Sequence, residues 1–109
     1  MSPAPRSTAT SLRGQVFRCN LGYGAKPWLV VSNNARNSLL SEIVAIRLTT
    51  TVRDLPTWVK LSPADPLTGY ANADCIEQLR KSELGDYLGV LSATTMHQVN
   101  QALAAALAL

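Results

Sequence analysis

Apolar positions along this chain fall in short runs of period two and shift to a helical period only near the end. Over residues 15–21, Phe17, Cys19 and Leu21 alternate with Val16, Arg18 and Asn20, which predicts a half-buried strand. Residues 22–27 hold two glycines and a proline, so they read as a loop. The continuous apolar run 28–31 predicts a central strand, with Trp28 in the core, and the polar stretch after it suggests at most one helical turn. Residues 42–51 form the longest strand candidate. Period two places Ile43, Ala45, Arg47 and Thr49 on one face and Val44, Ile46, Leu48 and Thr50 on the other. Further strands are predicted over 57–61, 73–79 and 87–91, with a Pro/Asp/Gly-rich loop between the first two.

From Ser92 onward the period changes. Met96, Val99, Leu103 and Leu107 recur at spacings of three and four among alanines, which predicts an amphipathic helix of about four turns. Ser92 is a suitable N-cap, because its hydroxyl can accept from a backbone N–H one turn on. Five or so short strands, few helices and no βαβ alternation give a mainly β (α+β) fold. The expected form is a small antiparallel barrel, or a strongly curved sheet, with a C-terminal helix packed on it. Residues 1–11, rich in Pro, Ser, Thr and Ala, read as a disordered tail, and 12–109 as one domain.

Composition narrows the chemistry. In 109 residues there are 10 Lys plus Arg against 7 Asp plus Glu, a mild basic bias that permits an anionic partner. No run of apolar residues is long enough to span a membrane and no secretory leader is visible, so a cytoplasmic location is expected. Cys19 and Cys75 belong to no metal-spacing motif and read as two buried thiols in a reducing compartment. The single histidine, His97, reads as a solvated helix residue. One imidazole supplies neither an acid–base pair nor a multi-histidine zinc site, so an enzyme here is expected to work without metal or nucleotide cofactor. Cations and hydroxyls remain: Lys26, Arg47, the threonine run 49–51 and Arg53. Arg47 and Thr49 share a strand face after an apolar stretch. That pattern fits either a strand entering a site or an edge strand with a wet end.

The segments RGQVFRCNLGYGAKPWLVVSNNARN, IVAIRLTTT, LPTWVKL and CIEQLRKSELGDYLGVLSATTMHQVNQALAAALAL follow one another as in the MazF/PemK-like toxin endoribonucleases, which the chain resembles from about Leu12 to Leu109. The resemblance implies an SH3-like barrel that dimerises. It further implies metal-independent cleavage of single-stranded RNA at short sequences, leaving a 2′,3′-cyclic phosphate and a 5′-OH. The substrate's own 2′-OH is then the nucleophile. The protein has to align it, stabilise phosphoryl charge and manage two protons.

Carried over by position, the family's catalytic threonine falls on Thr49. Its catalytic arginine, directly before the proline of the first loop, is replaced here by Lys26, which keeps the charge and loses the bidentate fork. Lys26 is expected to ride on a mobile flap, with Arg47 sharing its work from the neighbouring strand. For base recognition the expected residues are Gln78 and Asn33 through hydrogen bonds, and Tyr23 and Trp58 through stacking. The resemblance also implies neutralisation by a cognate antitoxin with an acidic tail. CcdB-type toxins, which share this barrel and poison gyrase, and a non-catalytic RNA-binding barrel are the alternatives.

Overall fold

A computed structural model describes residues 11–109. The sequence expectation for residues 1–11 therefore lies outside the described residues except at Ser11, which is buried. Six strands form one antiparallel sheet: β1 (Gln15–Asn20), β2 (Ala25–Val30), β3 (Glu42–Thr49), β4 (Trp58–Lys60), β5 (Tyr70–Arg80) and β6 (Tyr87–Val90). Their order across the sheet is β4-β5-β3-β2-β1-β6. The sheet curls without a β4–β6 ladder, so it is a half-barrel. A short helix α1 (Asn34–Leu39) joins β2 to β3, and α2 (Ala93–Leu107) follows β6.

Directly paired residues of an antiparallel ladder share a face, and the pairing sorts the core into two layers. One face carries Val16, Leu29, Ile46, Leu48, Val59 and Ala71, covered by Val99 and Ala102 of α2. Leu103 and Met96 pack against this layer, while Leu107 is exposed. The periodicity read from leucines and valines thus found the helix but not Ala102, whose small side chain lets α2 approach the sheet. The opposite face carries Phe17, Cys19, Trp28, Val30, Ile43, Ala45 and Leu79. In β3 the expected alternation holds: Ile43 and Ala45 belong to this second layer, Ile46 and Leu48 to the first. Between Ile46 and Arg47 the β3–β5 register jumps from Ile76 to Asn72. The extra residues of β5 form a bulge that bends the sheet next to Arg47.

The link between β2 and β3 is a polar lock. Ser32 Oγ donates to Asn37 Oδ1 (2.5 Å), and the Asn37 amide donates back to the Ser32 carbonyl (3.0 Å). Ser32 Oγ also accepts from the Val44 N–H at 3.0 Å. Asn37, only 2% exposed, therefore has its polar atoms paired, as a buried amide requires.

Asp65 ties the loop before β5 to the start of α2. Its carboxylate accepts from the Ser62 N–H (2.7 Å) and Ser62 Oγ (2.9 Å), from the Ser92 N–H (2.7 Å) and from Thr95 Oγ1 (2.6 Å). Ser92 itself caps α2 by accepting from the Thr95 N–H. Burial pushes the Asp65 carboxyl up, but these donors outweigh it and hold the group at about 2 against an ordinary 3.8. A depressed carboxyl contributes stability that is complete above the unfolded value and is lost as pH falls through the folded one. Asp65→Asn should therefore cost about 1–2 kcal/mol at pH 7, after discounting for solvent screening of a half-buried group. Thermal melts should also show a weaker acid dependence for the variant between pH 4 and pH 2. An unchanged melting temperature at neutral pH would rule this clasp out.

Candidate active site

The cleft that gathers the predicted catalytic residues owes its opening to a proline. Arg18 turns its backbone N–H and carbonyl toward Asp86 and Gly85, away from β2. Its ladder partner is Pro27, so the Pro27 nitrogen faces β3. That nitrogen carries no hydrogen and cannot donate. The β1–β2 ladder runs on to Ala25, whereas the β2–β3 ladder stops at the Trp28–Arg47 pair. Past that point β2 and β3 part. The gap is a cleft of about 340 Å³ lined by Lys26 and Pro27 from β2, Arg47, Leu48 and Thr49 from β3, and Thr50, Leu67 and Thr68 from the adjoining loops.

Lys26, Arg47 and Thr49 are thus brought together, and the cleft lining contains no carboxylate. Lys26 differs from the sequence expectation in its support. It stands within β2, opposite Cys19, and not in the first loop. That loop is only the hairpin between Asn20 and Ala25. The Asn20 side chain pins it by accepting from the N–H groups of Gly22 (2.9 Å) and Gly24 (3.2 Å). The mobile flap is replaced by a pinned turn, and the cation sits on the rigid sheet. The glycines and the proline were read together as a loop. The proline is tolerated inside the strand because the β3 ladder has ended beside it.

Thr49 closes β3. Its Oγ1 accepts from the Thr51 N–H at 3.1 Å, which leaves the hydroxyl proton available to a ligand. Thr50 lies beyond the strand end, is exposed and lines the cleft, so the alternation expected for the strand does not keep it away from the cleft. Gly69 lets β5 start close beside Thr49. A Cβ at Gly69 would fall 2.3 Å from the Thr49 carbonyl oxygen, and its φ of +120° is one that other residues rarely adopt. Arg47 is half-buried with its Nε unpartnered, next to the equally unpartnered indole N–H of Trp28. Burial pushes the thiols of Cys19 and Cys75 up, with the Arg47 charge partly offsetting this at Cys75, so neither is an activated nucleophile. Both cysteines are free.

The other predicted site residues are dispersed. Trp58 stands on the cleft's side of the sheet, two ladders from Arg47 by way of Asn72, with the Arg53 guanidinium 5.4 Å from its ring centre. Tyr23 is exposed at the tip of the β1–β2 turn. Asn33 is the N-cap of α1, its side chain accepting from the Ala35 N–H. Gln78 pairs with Val44, on the face opposite Thr49, and its amide donates to Glu42. Trp28, read as core, is 1% exposed. His97 is exposed on α2. Sequence reasoning missed Tyr70, which was placed in the loop before β5 and which pairs directly with Thr49. The Gly69-Tyr70 step, a glycine before an aromatic and then Ala-Asn-Ala, was the only available sign of a strand starting there.

A cationic cleft with a free hydroxyl and no carboxylate in its lining, set in a half-barrel, has the chemistry that suits a polyanion. The chain belongs to the family described as PemK-like, MazF-like toxin of type II toxin-antitoxin system, whose model matches residues 12–107, and it is a toxin of that kind with endoribonuclease activity. It is 66% identical over 98 residues to Endoribonuclease MazF1 of Mycobacterium bovis, covering 90% of this chain and 93% of the relative. Endoribonuclease MazF4 of Mycobacterium tuberculosis matches equally. Among solved structures, a mycobacterial endoribonuclease in complex with its cognate antitoxin superposes with a TM-score of 0.90 at 65% identity, over 92% of this chain and 97% of that one. A MazE-MazF structure from Deinococcus radiodurans shares the fold at a TM-score of 0.78 and 23% identity.

Proposed function

We propose that the chain cleaves single-stranded RNA at short sequences in the cytoplasm, without a metal, leaving 2′,3′-cyclic phosphate and 5′-OH ends. The observation that carries this reading is the convergence of Lys26, Arg47 and Thr49 on one cleft whose lining has no carboxylate. In the proposed step the substrate's 2′-oxygen bonds to the adjacent phosphorus as the bond to the 5′-oxygen breaks. The 2′-OH proton passes to water, and the 5′-oxygen regains one from water or from the Lys26 ammonium. The Thr49 hydroxyl donates to a non-bridging oxygen, while Lys26 and Arg47 balance the charge that builds there. Half-burial in the cleft strengthens each contact relative to bulk water.

Trp58, Tyr23, Asn33 and Gln78 are the proposed base-contacting residues. Trp58 has the strongest support, because it shares the face of the sheet that carries the cleft. Among the described residues no group of three His, Cys, Asp or Glu side chains could hold a metal ion, and no helix is long and apolar enough to cross a membrane. Purified protein incubated with RNA in EDTA should yield 5′-OH fragments. Activity that vanishes on chelation and returns with Mg²⁺ would overturn the mechanism.

The proposed partners are a cognate antitoxin, whose acidic tail would fit the cationic cleft, and a second copy of the chain. Exposed Leu39, Leu40 and Leu107 supply apolar surface for such contacts. Light scattering at micromolar concentration should then return twice the 11.7 kDa chain mass, and a monomer that still cleaves RNA would exclude the dimer.

A further inference from the structure

Beyond the cleft, the same face of the sheet continues to its edge as a grid. Arg47 pairs with Asn72, and Asn72 with Trp58; one row further, Thr49 pairs with Tyr70, and Tyr70 with Lys60. Paired residues share a face, so Tyr70 and Lys60 extend the cleft side of the sheet away from Thr49. Strands lie about 4.8 Å apart, which puts Lys60 about 10 Å from Thr49 along the row. That is room for the nucleotide next to the scissile phosphate. The Tyr70 and Trp58 rings stand 6.4 Å apart at 55°. Arg53 already lies over the Trp58 ring, whereas Tyr70 pairs directly with Thr49 and, among the described residues, no cation lies over its ring. Tyr70 is half-buried and lies in register between Thr49 of β3 and Lys60 of β4, so its main chain is fixed by the sheet and it presents its ring at little entropic cost.

We infer that Tyr70 is the stacking platform for the base flanking the cleaved bond, and that Lys60 meets the following phosphate. This rests on the RNA-cleaving reading above. It deepens that reading by placing a nucleotide-binding subsite on β4 and on the first residues of β5, where the sequence analysis placed Tyr70 in a loop. Tyr70 touches the neighbouring nucleotide and not the reacting atoms. It therefore acts on binding and on placement of the 2′-OH, and stacking of this kind tolerates any base that presents a π-face.

The test uses the full chain and an RNA fragment taken from one of its own cleavage sites, made uncleavable by a 2′-O-methyl group at the reacting sugar. Fluorescence anisotropy should show binding weakened about 5- to 100-fold by Tyr70→Leu, which keeps bulk and removes the aromatic face. Tyr70→Phe should stay within about threefold of the parent chain. With cleavable RNA the Tyr70→Leu loss should appear in KM more than in kcat. Lys60→Gln, at an exposed position, should lower the slope of log affinity against log salt by about 0.7. Thermal melts accompany each variant; if Tyr70→Leu does not fold, the Lys60 slope and the Tyr70→Phe binding decide. Unchanged binding by Tyr70→Leu while Thr49→Ala is inactive would overturn the subsite and leave the catalytic reading standing. A parent chain that binds but never cleaves would overturn the catalytic reading, and the binding series would still decide Tyr70. A loss confined to kcat would also overturn the platform.

Discussion

Lys26→Ala should abolish most cleavage while leaving the fold intact. Its side chain is half-buried at the wall of the cleft and its neighbours in β2 carry the ladder, so truncation removes a charge without removing a core contact. Lys26→Arg should keep substantial activity, since a cation of similar reach stands at the same place and adds a fork suited to phosphate. Arg47→Ala tests how the charge is shared. If both cations act on the phosphoryl group, each single change should cost about 10- to 10³-fold, and the double change less than the product, because residues acting as a unit are not additive. A nearly silent Lys26→Ala with a severe Arg47→Ala would assign the charge to Arg47 alone. Binding measured beside cleavage separates the roles: a Lys26 that only docks RNA would change affinity and its salt dependence, with the rate in the complex unchanged. Placement on a strand in place of a flap sharpens this expectation, because the sheet fixes the main chain from which the ammonium reaches the cleft before substrate arrives, and preorganised charge is where electrostatic catalysis gains most.

Thr49→Ala should cost about 10²-fold or more in kcat, the scale of removing one donor aimed at developing charge. Thr49→Ser should restore much of it, since the hydroxyl remains and only the methyl is lost. Thr50→Ala should cost far less than Thr49→Ala, for a reason the structure changes. Thr50 is an exposed residue past the strand end, at the rim of the cleft, and truncating it disturbs no packing. Equal losses at Thr49 and Thr50, with unchanged melting temperatures, would show that the strand end does not select between the two hydroxyls.

Much of the framework was legible because it rests on local rules. The alternation in β3 placed Arg47 and Thr49 together, and the Ser92 cap located the start of α2. What stayed hidden depends on partners distant in sequence. Lys26 was taken for a loop residue because Gly and Pro normally punctuate. Only the orientation of Arg18 against Asp86 and Gly85 explains why Pro27 sits inside a strand. Tyr70 was hidden because β5 begins where Gly69 lies against the Thr49 backbone, a contact between residues twenty apart that no periodicity reports. Asn33 looked like a reader of bases by position, and its first task is to cap α1. Asn37, one of the least conspicuous residues of its polar run, turned out to be the buried half of the lock with Ser32.

The parting of β2 from β3 is made by the main chain, through one nitrogen that has no hydrogen to give. An aperture made this way does not depend on the size or polarity of the side chains around it. The residues on its walls can be exchanged, lysine for arginine at position 26 among them, without the strands zipping shut. A scaffold with a fixed opening and replaceable walls is one on which a lineage can change what the opening grips while its architecture stays still.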